Sequence, residues 1–210
     1  IEEHETRNQD PLQAREALVM NGYQKIKRWT LSAYYEVRGK TTKYRDGFHG
    51  NRNVPHYSER CGWKQFGASN ETEYEYWWQE ACGIVSLRMI VDTLDSKEST
   101  KQLTIFQHIQ EAITDGAYLQ KTIDGKTVRV GWIHTKLVEL ARKRGVHGRS
   151  VQLSTRGICY AIASGQLIMA SVYRPFSRFI DENAPRKKAR GHLVVLTGLE
   201  WPNGHRTGFY

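Results

Sequence analysis

The chain has 210 residues, of which 39% are hydrophobic and 25% charged; this composition is typical of a folded globular domain and excludes a disordered chain. Its 31 Lys and Arg against 22 Asp and Glu give a formal charge of +9, which excludes an acidic protein and allows an acidic partner, nucleic acid or a membrane surface. No apolar stretch reaches the roughly 18 residues of a membrane-spanning helix, so no integral membrane span is predicted.

The N-terminal part predicts a helix and then a strand. Asp10-Pro11 is typical of a helix start, and the helix ends at Asn21-Gly22. Residues 26–38 are rich in aromatic and β-branched side chains, which favours a strand. The Gly-, Asn- and Ser-rich stretch 45–73 predicts irregular structure.

Helices and one hairpin are predicted in the middle of the chain. Residues Ala81 to Leu94 are apolar on nearly every side of a helical projection, which indicates a helix buried in the domain centre. The other predicted elements are a helix over 103–114, a hairpin over 118–130 turning at Asp124-Gly125, a helix over 133–143 and a short helix over 155–164 capped by Ser154.

The C-terminal part predicts strands. Residues 167–174 and 192–200 are predicted as strands, the first fully buried at its start, and a long polar loop separates them. A turn at Pro202-Asn203-Gly204 leads into a further strand at Thr207. Because the strands gather at the C-terminal end, the sequence predicts an α+β fold and not a doubly wound parallel sheet.

Cys82 is the candidate nucleophile. The chain has three cysteines, and their spacing matches neither a disulfide scaffold nor a zinc motif. Cys82 lies at the predicted start of the buried helix, where the aligned peptide dipoles and backbone N–H groups favour a thiolate. The alternative is that Cys82 is a small buried apolar residue.

His192 is the candidate general base. It follows Gly191, at the end of the polar loop and the start of an apolar strand. An imidazole there is held on one side and reached by solvent on the other, and its ordinary pKa allows proton exchange near neutrality. The alternative is a histidine at a strand edge with no role.

Two motifs, one around Cys82 and a later one around His192, resemble those of papain-like cysteine peptidases in their order along the chain. The segment WWQEACGIVSLRM (77–89) is followed much later by GHLVVLTGL (191–199), an arrangement similar to the bacterial peptidases that process bacteriocins with double-glycine leaders. Three further segments resemble the same family: NVPHYSE (53–59), GWIHTKLVELARKRGV (131–146) and GQLIMASVY (165–173). The resemblance covers 53–210, and 1–52 is interpreted as an N-terminal extension, a helix plus strands, packing on that domain.

The resemblance implies a fold and a set of site residues. The fold is a central helix carrying the nucleophile, packed on an antiparallel sheet. Cys82 matches the nucleophile and His192 the base, and Gln79 is the nearest candidate for the glutamine of the oxyanion hole. The Asp or Asn that orients the histidine is expected just beyond Tyr210, with Asn203 or Glu200 as substitutes inside the chain.

The implied activity is peptide-bond hydrolysis through a Cys-His thioester mechanism, with a peptide or protein substrate and no metal or organic cofactor. Trp77 and Trp78, just before the nucleophile, favour a narrow cleft that accepts glycine-rich sites, although both indoles could equally be core. The same pair would perform acyl or amide transfer if an amine resolved the thioester. A second alternative is a catalytically inactive papain-like binding module.

Nucleic-acid binding is the least favoured class. No recognised nucleic-acid motif is present, and basic residues cluster only at 186–190. The basic loop 174–190 leads directly to His192, so it is either a rim that favours acidic substrates or a solvated loop. The family is bacterial, and neither the cellular location nor the oligomeric state follows from the sequence.

Overall fold

The computed structural model describes residues 30–43, 47–51, 53–94, 103–123, 125–173, 191–201 and 208–209. The helices are α1 (30–41), α2 (Trp63–Phe66), α3 (Glu71–Trp77), α4 (Cys82–Leu94), α5 (Ile105–Thr114), α6 (His134–Lys143) and α7 (Thr155–Ala163), with a 3-10 turn at Trp78–Glu80. The strands are β1 (Gly47–Gly50), β2 (Tyr118–Ile123), β3 (Lys126–Trp132), β4 (Ile168–Tyr173), β5 (Gly191–Leu196), β6 (Gly198–Trp201) and β7 (Gly208–Phe209). The predicted α+β class is confirmed at the level of a mixed fold of helices and antiparallel strands.

The chain divides into two compact units, and the described residues 30–43 and 151–160 form the first. The remaining described residues form the second unit, which holds every element from β1 to α6 and from β4 to β7. The sequence placed a boundary after residue 52, whereas this division falls between Lys43 and Tyr44. The predicted helix over 10–22 lies outside the described residues.

The strand predicted over 26–38 is wrong for residues 30–38, which belong to helix α1. Aromatic side chains drew the prediction toward a strand, but Tyr34 and Tyr35 here pack with Tyr160 of α7, at ring-centroid distances of 6.1 and 5.9 Å. The Ser32 hydroxyl also donates to the Gln152 carbonyl oxygen. Packing within the first unit therefore overrides the local preference for a strand.

Capping interactions fix several helix starts in the second unit. Asn70 accepts from the backbone N–H of Glu73 at the start of α3. Thr104 and Gln107 form a capping box at α5, so that helix begins two residues later than predicted. Strand β1, helix α2 and the first residues of α3 lie inside the stretch 45–73, which was predicted to be irregular. The Ser154 cap predicted for α7 is confirmed, since its Oγ accepts from the Gly157 N–H at 3.2 Å.

The predicted hairpin is confirmed as β2 and β3, antiparallel, with Gly125 at φ 70° in the turn. Strands β4 and β5 form a second antiparallel pair, in which Val172 lies opposite His192. The start of β4 is only half-buried, less than predicted. A third sheet has the order β1-β6-β7. Its strand β7 lies within the strand predicted from Thr207 onward, and Gly208 and Phe209 pair with Glu200 and Leu199 of β6.

Helix α4 lies at the centre of the second unit, as its apolar pattern predicts. The side chains of Cys82, Ile84, Val85, Ser86, Leu87 and Val91 are all buried. Helices α5 and α6, the 3-10 turn and strand β5 pack directly on α4. Among the described helices, none is long and apolar enough to cross a membrane.

Candidate active site

The chain enters α4 through a tight turn that places Cys82 at the first helical position. The Ala81 carbonyl oxygen accepts from the N–H groups of Ile84 and Val85, both at 2.9 Å. Cys82 is 8% exposed, so its thiol lies in the protein interior at the N-terminal end of the helix.

The glycine that follows Cys82 is required by a tryptophan on β3. The Trp132 indole N–H donates to the Glu80 carbonyl oxygen at 2.6 Å, which holds the ring against the start of α4. A Cβ at Gly83 would lie 2.5 Å from the Trp132 ring, closer than any side chain tolerates. The Cys-Gly motif therefore has a packing reason independent of its chemistry.

Strand β5 brings His192 to the same point. The Ser86 hydroxyl donates to the Leu193 carbonyl oxygen at 3.1 Å, which joins α4 to β5 beside the cysteine. The backbone N–H of Leu193 is directed at the Cys82 sulfur. His192, the residue before, is half-buried and thus open to solvent on one side.

Three donor atoms meet at this point. The Cys82 Sγ, a ring nitrogen of His192 and a carboxylate oxygen of Glu59 all lie within 4.8 Å of one another. Cys82 at the start of α4 and His192 on β5 are thus brought together, and their roles as nucleophile and base stay predictions. Glu59 was missed as a site residue, although it ends the NVPHYSE segment whose family resemblance was noted.

Hydrogen bonds and stacking hold the segment that carries Glu59 against α4. The Tyr57 hydroxyl donates to Asp92 Oδ2 at 2.7 Å, and the Arg88 guanidinium lies 4.7 Å from the centre of the Tyr57 ring. On the other side, the Arg60 guanidinium lies 4.8 Å from the Trp78 ring centre. Glu59 lies between these two anchors, which fix its position relative to Cys82.

The thiol at rest is harder to ionise than the sequence predicted. The pKa of Cys82 is raised to about 11, mainly by burial and in smaller part by the charges of Glu59 and Glu80. The N–H groups of Leu193 and Gly83 act in the opposite direction without offsetting the burial. Burial therefore opposes the ionisation that the helix N-terminus was expected to favour, and the thiol is neutral at rest.

Among the described residues, the other predicted site residues are not part of this group of three. Gln79 lies in the 3-10 turn with its side chain exposed, and its role as an oxyanion donor stays a prediction. Asn203 and the basic loop 174–190 lie outside the described residues. Trp77 is 8% exposed and packs on the Tyr118 ring, as a core residue does, whereas Trp78 is half-buried.

No family model matches the chain, and neither a curated protein nor a solved structure is significantly similar to it. The geometry of the site is that of a buried thiol, an imidazole and a carboxylate that meet at the start of a central helix in an α+β fold.

Proposed function

We propose that the protein is a papain-like cysteine peptidase that hydrolyses a peptide or protein substrate through a Cys82 thioester. The observation that carries this proposal is the approach of the Cys82 sulfur to a ring nitrogen of His192 within 4.8 Å. A separation within this bound is compatible with proton transfer, because catalytic contacts are often loose before substrate binds. The order of the two residues, helix start and then antiparallel strand, further supports the proposal.

The reaction begins with transfer of the Cys82 thiol proton to His192. The sulfur then attacks the substrate carbonyl, the C–N bond breaks, and the imidazolium returns the proton to the leaving amine. Water, deprotonated by His192, resolves the thioester. The backbone N–H of Cys82 lies in the first turn of α4, where helix N–H groups lack intrahelical acceptors, and it is the proposed donor to the oxyanion.

Glu59 has opposite effects on the two partners of the proton transfer. Its negative charge raises the pKa of the Cys82 thiol. The same charge stabilises the imidazolium that His192 becomes after it accepts the proton. The Cys82 thiol is thus neutral at rest, and on this proposal His192 takes its proton during the reaction rather than before it.

Two alternatives use the same fold. An acyl or amide transferase differs only in that an amine resolves the thioester. A catalytically inactive binding module needs no thiol chemistry, and the raised pKa of Cys82 is the observation in its favour. Glycine-rich cleavage sites remain the expected specificity, argued from the family resemblance alone.

A peptide library followed by mass spectrometry tests the proposal. Wild type should release peptide fragments, while Cys82→Ala and His192→Ala should release none. Cys61→Ala is the matched control and should cleave at the wild-type rate, because the half-buried Cys61 thiol is not one of the three groups that meet at the site. Added glycinamide that appears in the product would indicate transfer, and turnover that persists in Cys82→Ala would overturn the proposal.

A further inference from the structure

We propose that Glu59, Cys82 and His192 form a binding site for a single Zn²⁺ ion. One donor atom of each residue, a carboxylate oxygen, a thiol sulfur and a ring nitrogen, lies within 4.8 Å of the other two. Zinc binds these three donor types at about 2.0–2.3 Å, which places donors of one tetrahedral ion roughly 3.5 Å apart. Donor atoms within 4.8 Å of one another are close enough for changes in side-chain torsion angles to bring them to this spacing.

The donor set selects the metal. A thiolate and an imidazole favour zinc over Mg²⁺ and Ca²⁺, which prefer sites built of oxygen. Two anionic ligands and one neutral ligand offset both charges of the ion, which relieves the repulsion between the Glu59 carboxylate and a Cys82 thiolate. Among the described residues, no other three such side chains converge in this way.

The site is accessible to an ion. Cys82 lies at its buried end, while Glu59 and His192 are both half-buried and border on solvent. Three protein ligands leave a fourth tetrahedral position for water, as in open zinc sites. The two anchors of the Glu59 segment, at Tyr57 and Arg60, hold the carboxylate beside the other two ligands.

Binding is a proton exchange. The Cys82 S–H bond breaks, the S–Zn bond forms, and the proton passes to water. The consequence for activity rests on the proposed function: bonding to zinc lowers the nucleophilicity of the sulfur, and the His192 nitrogen that binds the ion accepts no proton. Zinc would then be a reversible inhibitor of the peptidase.

Cobalt titration of the metal-free full-length chain tests the site directly. Co²⁺ replaces zinc in such sites and gives a near-ultraviolet charge-transfer band when a thiolate binds it. We expect a band that saturates with one ion and is abolished by added Zn²⁺. Cys82→Ser should lose the band, and Glu59→Gln and His192→Ala should weaken Co²⁺ binding by about tenfold or more. Cys61→Ser should keep both band and affinity.

A band that persists in Cys82→Ser, or that never forms in wild type, would overturn the zinc site. A second measurement avoids variants that fail to fold. In wild type, Zn²⁺ should slow the alkylation of Cys82 by iodoacetamide, whereas Mg²⁺ should not. Equal alkylation rates with and without Zn²⁺ would also overturn the zinc site. Neither readout uses hydrolysis, so a zinc-binding chain with no peptidase activity rejects the proposed function and leaves the metal site standing.

Discussion

The Ser86 hydroxyl on α4 donates a buried hydrogen bond to the Leu193 carbonyl oxygen on β5, over 3.1 Å. Ser86 lies one helical turn after Cys82, and Leu193 directly follows His192. This bond therefore joins the helix and the strand at the point where the two side chains of the candidate pair meet.

Removing this hydroxyl should cost both stability and activity. Ser86→Ala leaves the Leu193 carbonyl oxygen buried without that donor, which lowers the free energy of unfolding by about 1–3 kcal/mol. Because the bond also fixes β5 on α4, turnover should fall. Thr114→Ala is the control, since its hydroxyl bonds the Gln110 carbonyl at the exposed end of α5. Urea denaturation and peptide hydrolysis measure the two effects, and equal losses in both variants would contradict the prediction.

Neutralising Glu59 should make the thiol easier to ionise. The Glu59 charge raises the pKa of Cys82, so Glu59→Gln lowers that pKa from its value of about 11. Burial is the larger cause, so the pKa should stay above its ordinary value. The measurement is the rate of Cys82 alkylation against pH, whose midpoint should move to lower pH. Glu139→Gln, on the exposed face of α6, should leave the midpoint unchanged.

The buried thiol should make stability fall at alkaline pH. The pKa of Cys82 is about 11 in the folded chain against an ordinary 9.0, so the neutral thiol favours the folded state. The contribution of the neutral thiol to the free energy of unfolding is fully present below pH 9 and is lost as the pH rises toward 11. The total loss is about 3 kcal/mol. The check is the difference in unfolding free energy between wild type and Cys82→Ala at pH 8 and pH 11. A difference independent of pH would contradict it.

Gly83→Ala should disturb the start of α4. The added Cβ would lie 2.5 Å from the Trp132 ring, so the indole must move and its hydrogen bond to the Glu80 carbonyl must break. Overpacking of this kind costs about 1–3 kcal/mol. Gly148→Ala is the control, because a Cβ there meets no atom within 4 Å. Thermal unfolding and tryptophan fluorescence should change in the first variant only.

Local signals in the sequence account for much of the second unit. Apolar side chains lie on every side of the helix predicted over Ala81–Leu94, so that helix is stable only in the protein interior. The Asp124-Gly125 pair predicts the turn of the hairpin because glycine accepts positive φ. The Cys82–His192 pair followed from two motifs at element boundaries. In each case the information lies within a few neighbouring residues.

The errors share one physical cause, which is that the deciding partner lies far along the chain. Residues 30–38 are rich in strand-forming side chains, but Tyr35 packs on Tyr160, more than a hundred residues later. Glu59 joins the site only because Tyr57 and Asp92 hold its segment against α4. The sequence indicated a buried helix at Cys82, but how strongly burial opposes ionisation of the thiol depends on the packing of β5, more than a hundred residues later, on α4.

Thr197 separates β5, which pairs with β4, from β6, which pairs with β1 and β7. Its carbonyl oxygen accepts from the Asn51 N–H at 2.8 Å, and Gly50 at φ 133° leaves no room for a side chain there. One inserted residue at this junction would exchange the two faces of β6 and turn fully buried Leu199 outward. The spacing between His192 and Leu199 is thus a fixed length, and natural variation in loop length should be found elsewhere in the chain.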